Sequence, residues 1–117
     1  MKPVDLKSRT KQFSLRIIRL VRALPADKVA DVIGKQLLRS GTSVGANYRA
    51  ACRAKSQADF INKIHIAEEE TDESIFWMEL LIEGKIVDET LLKDLMKEAS
   101  ELLAIFSASA ITARKNK

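Results

Sequence analysis

The sequence predicts an all-α fold, an up-down-up-down antiparallel four-helix bundle, on three observations. Only 4 Gly and 2 Pro occur in 117 residues, too few for the turns that an all-β sandwich or barrel needs roughly every 8–12 positions. Apolar residues recur at spacings of three and four through successive segments, the period of a helix with one apolar side. The breaks between those segments are short, and short connections make neighbouring helices run antiparallel. Hydrophobic residues make up 46% of the chain and charged residues 31%. One domain over residues 1–117 can therefore bury a core, and disorder is not expected.

The first segment runs from about Asp5 to Leu24, with Leu6, Thr10, Phe13, Ile17, Leu20 and Leu24 on one stripe. Pro25 ends it, because the residue before a proline disfavours the helical region. Asp27 helps to start the second segment, whose stripe is Val29, Ile33, Leu37, Val44, Tyr48 and Ala51. Poor helix formers fill Ser40-Gly41-Thr42-Ser43-Val44-Gly45, so a kink or short break is expected there. Ser56, three residues before Asp59, gives a capping-box-like start to the third segment. Phe60, Ile64, Ala67, Thr71, Met78 and Leu81 form its stripe. Gly84 stands where a helix end favours a residue free to take positive φ. Asp88 can cap the fourth segment, with Leu92, Leu95, Ala99, Leu102 and Phe106 in line.

The composition excludes much chemistry. A single Cys forbids an internal disulfide and a zinc site of several cysteines. His65 is the only histidine, with Glu68, Glu69 and Asp72 within two turns. A carboxylate-bridged two-metal bundle would need Glu-x-x-His on two helices, and Asn62 stands where that Glu belongs. An exposed His beside surface acids is the expected reading, with no metal and no cofactor. Small helical-bundle ribonucleases place an Arg ahead of a catalytic His with four to six residues between them. Ala58, Asp59 and Phe60 occupy the corresponding positions here. The stretch SGTSVG lacks the Lys and the spacing of a phosphate loop, and Cys52 is expected as a small packing residue. The chain is read as a non-enzyme. No apolar run reaches the roughly 20 residues of a membrane span, and the arginines at 16, 19 and 22 do not suit a signal-peptide core. A cytoplasmic location without membrane contact is expected.

Charge is distributed unevenly. Residues 1–67 carry 14 Lys/Arg against 4 Asp/Glu, and residues 68–101 carry 3 against 12, within a net charge of +4. Such asymmetry fits a nucleic-acid surface, a charge-complementary partner, or self-association through opposite ends.

The central stretch QLLRSGTSVGANYRAACRAKSQADFINKI, residues 36–64, followed by EEETDESIFWMELL, residues 68–81, resembles the 23S rRNA intervening-sequence protein family. The likeness covers roughly residues 5–110. It rests on LLRSGTSVGANYR, on ADFINK, and on the acidic-aromatic run from Asp72 to Leu81; Ala50 stands where similar sequences often carry an acid. The resemblance implies a four-helix bundle without enzymatic activity, encoded within bacterial 23S rRNA genes or standing alone. It also implies pentameric rings. A related branch serves as accessory protein to the reverse transcriptase of diversity-generating retroelements and binds nucleic acid through basic surface.

Two functional classes remain open from the residues. The first is non-specific RNA or DNA binding, with Arg9, Lys11, Arg16, Arg19, Arg49, Arg53 and Lys55 as candidates for phosphate contact. Arg39 or Arg49 could instead pair with the acids of the third helix. Asn47 is read as a hydrogen-bonding device within the bundle. The second class is a structural oligomer or an adaptor for a protein such as a reverse transcriptase. Helix geometry places Leu15 and Ile18 away from the first core stripe, with Lys11, Arg19 and Arg22 around them. Ile66, Phe76, Trp77 and Leu80 fall on the far side of the third, among Glu69, Glu70 and Glu73. Docking of the first helix of one protomer on the third helix of the next is expected, with Leu15, Ile18, Arg22, Ile66, Glu73, Phe76, Trp77 and Leu80 at the contact.

Overall fold

The computed structural model describes residues 5–116. These residues form four helices and no strand: α1 Leu6–Ala23, α2 Lys28–Cys52, α3 Gln57–Glu83 and α4 Glu89–Lys115. Each begins at a side chain that accepts from an otherwise unpaired N–H of the first turn. Asp5 accepts from Ser8, Asp27 from Ala30, Ser56 from Asp59, and Asp88 from Thr90. Asp88 takes both the backbone N–H and the hydroxyl of Thr90, which holds its carboxyl below the usual range.

Packing runs in chain order. The α1 helix lies on α2, α2 on α3 and α3 on α4, while α1 meets α4 only along a narrow strip. The α1 and α3 helices are diagonal, as are α2 and α4, in agreement with the up-down-up-down arrangement. The interior holds Phe13 and Ile17 of α1, Leu37 and Val44 of α2, Ile64, Met78 and Leu81 of α3, and Leu92, Leu102 and Phe106 of α4. These are positions of the four predicted stripes, with one exception: Val29 is 53% exposed, because the buried side at the start of α2 is carried by Ala30.

Two further expectations are corrected. The α2 helix runs unbroken through Ser40–Gly45. Its small residues serve close approach: a β-carbon at Gly41 would lie 2.7 Å from the Ile17 side chain, and one at Gly45 would lie 2.9 Å from the Ser14 hydroxyl. Gly34 faces Leu24 and Val21. The three glycines thus lie along α2 in antiparallel register with α1, and Ser14 Oγ fixes that register by donating to Gly41 O at 2.9 Å. At the end of α3, Gly84 has φ −79° and Lys85 takes φ 61°. Lys85 N–H bonds Ile82 O at 3.0 Å and Ile86 N–H bonds Leu81 O at 2.9 Å. That pair is a Schellman closure with its left-handed residue one position later than expected.

Among the described residues no helix is long and apolar enough to cross a membrane.

Candidate nucleic-acid interface

The antiparallel register brings the start of α1 beside the end of α2. Between them runs an open groove of about 540 Å³, lined by Lys7, Ser8, Lys11 and Ser14 from α1 and by Thr42, Gly45, Ala46 and Arg49 from α2. The groove exists because positions 45 and 46 carry almost no side chain, so its floor is close to backbone. Its charges are all positive. Lys7, Lys11 and Arg49 form no ion pair among the described residues, and no carboxylate lines the groove. Arg53 and Lys55, both exposed, follow Arg49 at the same end of the bundle.

The other basic candidates lie elsewhere. Arg9 is drawn to α4: its Nε donates to Glu98 at 2.8 Å, and its Nη2 reaches Glu98 at 2.7 Å and Glu101 at 2.9 Å. These carboxylates raise its pKa further. Arg16, seven residues on, shares that α4-facing flank by helix period, and Arg19 is exposed beyond it. Arg39 binds Glu70 at 2.9 Å and Glu73 at 2.5 Å on α3, so of the two arginines that could pair with the third helix, Arg39 does. Its hydrogen bond holds the Glu73 carboxyl below the ordinary range, helped by Trp77 Nε1 donating at 3.3 Å. Nothing local to Lys7 singles it out, because its place in the groove depends on the α1–α2 register. The glycine spacing is the signal that could have found it.

Asn47 donates to Ser43 O at 2.9 Å, a bond within α2. Cys52 is exposed rather than packed, since α2 ends there. Tyr48 stacks toward Phe106 with centroids 6.0 Å apart. Burial, with the neighbouring Cys52 thiol contributing, pushes the Tyr48 phenol up to about 12.

The histidine lies on the opposite seam, between α3 and α4. His65 Nδ1 is 3.1 Å from Glu68 Oε1, Arg114 reaches Nε2, and Ser107 donates to the other Glu68 oxygen. That hydroxyl holds the Glu68 carboxyl low, with His65 and Arg114 contributing. Ser107 and His65 both bind the carboxylate and not each other, so this is not the nucleophile–base contact of a triad. The described residues contain no group of three or more His, Cys, Asp or Glu placed to hold a metal ion.

The outward apolar residues divide into two sorts. Leu15 is 36% exposed and Phe76 is 50% exposed. Ile18, Ile66, Trp77 and Leu80 are half-buried, and Trp77 also packs on the core and edge-on to Phe76 at 5.1 Å. Glu69, Asp72, Glu79 and Glu83 share the exposed side of α3 with Phe76, and Lys11, Arg19 and Arg22 share that of α1 with Leu15.

Comparison with known proteins agrees with the architecture. Residues 2–108 match the family model of the 23S rRNA-intervening sequence protein. A crystal structure of a protein of unknown function from the S23 ribosomal protein family of Bacteroides thetaiotaomicron VPI-5482 is similar, with a TM-score of 0.84 and 36% identity. The match covers 89% of this chain and 96% of that one. A search of curated proteins gives no match. With the family pattern running through all four helices, this chain belongs to the 23S rRNA-intervening sequence protein family.

Proposed function

We propose that the protein is a non-enzymatic bundle that binds RNA or DNA by its phosphate backbone, in the groove between α1 and α2. The observation that carries this reading is the set Lys7, Lys11 and Arg49, three cations around one groove with no carboxylate among them. Unpaired cations release counterions from a polynucleotide, and binding of that kind is largely indifferent to sequence. Arg53 and Lys55 extend the track past the end of α2. Arg9, held by Glu98 and Glu101, stabilises the bundle instead, and Arg16 and Arg19 lie outside the groove. Fluorescence anisotropy with a labelled oligonucleotide tests the reading. Alanine at Lys7, Lys11 or Arg49 should weaken binding several-fold, whereas alanine at the exposed Lys93 of α4 should not. Equal effects at all four positions would refute the groove.

A second reading concerns assembly and rests on Leu15 and Phe76. Each is an exposed apolar residue at the centre of a charged stripe, basic on α1 and acidic on α3, and the two stripes lie on diagonal helices. Complementary faces in that relation make a head-to-tail contact, which closes into a ring where the rotation allows. Five protomers is the number the family likeness implies. Capture of a protein such as a reverse transcriptase is the adaptor alternative on the same faces. Light scattering decides: Leu15→Glu and Phe76→Glu should each lower the assembled mass while circular dichroism stays unchanged. A monomeric wild-type protein would end this reading.

A further inference from the structure

We propose that the α1–α2 groove distinguishes RNA from DNA, with the hydroxyl oxygens of Ser14 and Thr42 each accepting from a different ribose 2′-hydroxyl while Lys7, Lys11 and Arg49 hold adjoining phosphates. The inference rests on the groove binding a polynucleotide, as argued above, and adds which sugar it prefers.

The preference follows from where two hydrogens go. A hydroxyl has one hydrogen to donate and two lone pairs with which to accept. Ser14 Oγ donates its hydrogen to Gly41 O at 2.9 Å. Thr42 Oγ1 donates to Leu38 O at 2.7 Å, with Arg39 O at 3.3 Å beside it. Both hydrogens are therefore turned into α2, and what these side chains can still offer a ligand is acceptor capacity. Both residues line the groove. Gly45 keeps the Ser14 oxygen uncovered, because a β-carbon there would sit 2.9 Å from it.

The groove thus presents two complementary sets of atoms. Lysine and arginine supply donors only, which suit phosphate oxygens. Ser14 and Thr42 supply acceptors, which are useless to a phosphate and suit an O–H donor next to one. In a nucleic-acid backbone that donor is the ribose 2′-hydroxyl, and deoxyribose has nothing to put there. Ser8 makes no side-chain hydrogen bond among the described residues, so its hydroxyl can donate or accept and confers no preference.

The test measures the full-length chain against single-stranded RNA and DNA of identical sequence, at one salt concentration, by fluorescence anisotropy. RNA should bind tighter by about two- to tenfold for each net hydrogen bond formed. RNA carrying 2′-O-methyl groups, which keep an acceptor and lose the donor, should bind no better than DNA. Thr42→Val should lower RNA affinity and leave DNA affinity unchanged. Ser14→Ala should do the same, and Thr42→Val remains decisive if loss of the Ser14–Gly41 bond loosens the bundle, because its own bond lies within α2. Equal or reversed affinities for RNA and DNA would overturn the inference and leave the groove standing. An RNA preference that survives both substitutions would also overturn it, and binding to neither polymer would overturn the groove as well.

Discussion

Gly41 packs directly on Ile17 between α2 and α1, where a β-carbon on Gly41 would come within 2.7 Å of two Ile17 side-chain carbons. Ile17 is fully buried, so it has no free space into which to move. Two effects oppose each other in Gly41→Ala. Helix propensity favours alanine by about 1 kcal/mol, and overpacking a closed interface costs about 1–3 kcal/mol. Because the clash is with a branched carbon chain that is itself enclosed, overpacking wins. Chemical denaturation should show a net loss of about 1 kcal/mol or more. Adding Ile17→Ala to Gly41→Ala should cost less than the two single changes together, since the smaller residue makes room.

Lys85 carries the reverse opportunity. It holds φ 61° at the end of α3, a conformation in which a side chain costs an L-residue roughly 1 kcal/mol or more. Lys85→Gly should therefore raise stability by about 1 kcal/mol, read as an upward shift of the thermal midpoint. A fall in the midpoint would mean that the Lys85 side chain contributes something the backbone geometry does not reveal.

Ser40 and Ser74 form the one buried side-chain hydrogen bond between α2 and α3, at 2.8 Å. Ser74 gives its hydrogen to Glu70 O at 2.8 Å, so Ser40 is the donor in the pair. Ser74→Ala leaves Ser40 with a 3.3 Å contact to Leu37 O and should cost about 1 kcal/mol. Replacing both serines by alanine should cost less than the sum of the singles, because no hydroxyl is then left without its partner. Strict additivity in denaturant titrations would contradict the pairing.

How far the sequence reveals this molecule depends on whether a feature is local. The caps at Ser56 and Asp88 are legible because a capping side chain and its N–H lie two or three residues apart. The stripes through Phe13, Leu37, Ile64 and Phe106 are legible because they obey the helical period. Ser40–Gly45 misleads for the opposite reason: its residues are poor helix formers taken alone, and only the neighbouring α1 explains them. The same holds for the site. Arg49 can be named from its motif, but Lys7 joins it only through the α1–α2 register. Arg9 looks as available as Lys11 until α4 brings Glu98 and Glu101 against it. The exchange of Gly84 for Lys85 at the left-handed position is a shift of one residue, and side-chain preference alone points to the glycine.

Acid should loosen two seams. Arg39 holds the Glu73 carboxyl low between α2 and α3, and Ser107, with His65 and Arg114, holds the Glu68 carboxyl low between α3 and α4. A carboxyl whose folded value is depressed contributes stability that is fully present above its unfolded value, near 4.3 for Glu, and is lost as pH falls through the folded value. Stability measured at constant ionic strength should fall below about pH 4. Glu73→Gln and Glu68→Gln should each flatten part of that fall. Because Arg39 and Glu73 are substantially solvated, the Glu73 share should also shrink at high salt.

The most direct test of the groove is the salt dependence of binding to a single-stranded oligonucleotide, compared between the wild-type chain and the triple variant Lys7→Ala, Lys11→Ala, Arg49→Ala. Each phosphate contact on a single strand contributes roughly 0.7 to the slope of log affinity against log salt. The slope should be about 2 shallower in the triple variant, with thermal unfolding showing that the bundle is intact. The same slope in both proteins, or no salt dependence in the wild type, would contradict it.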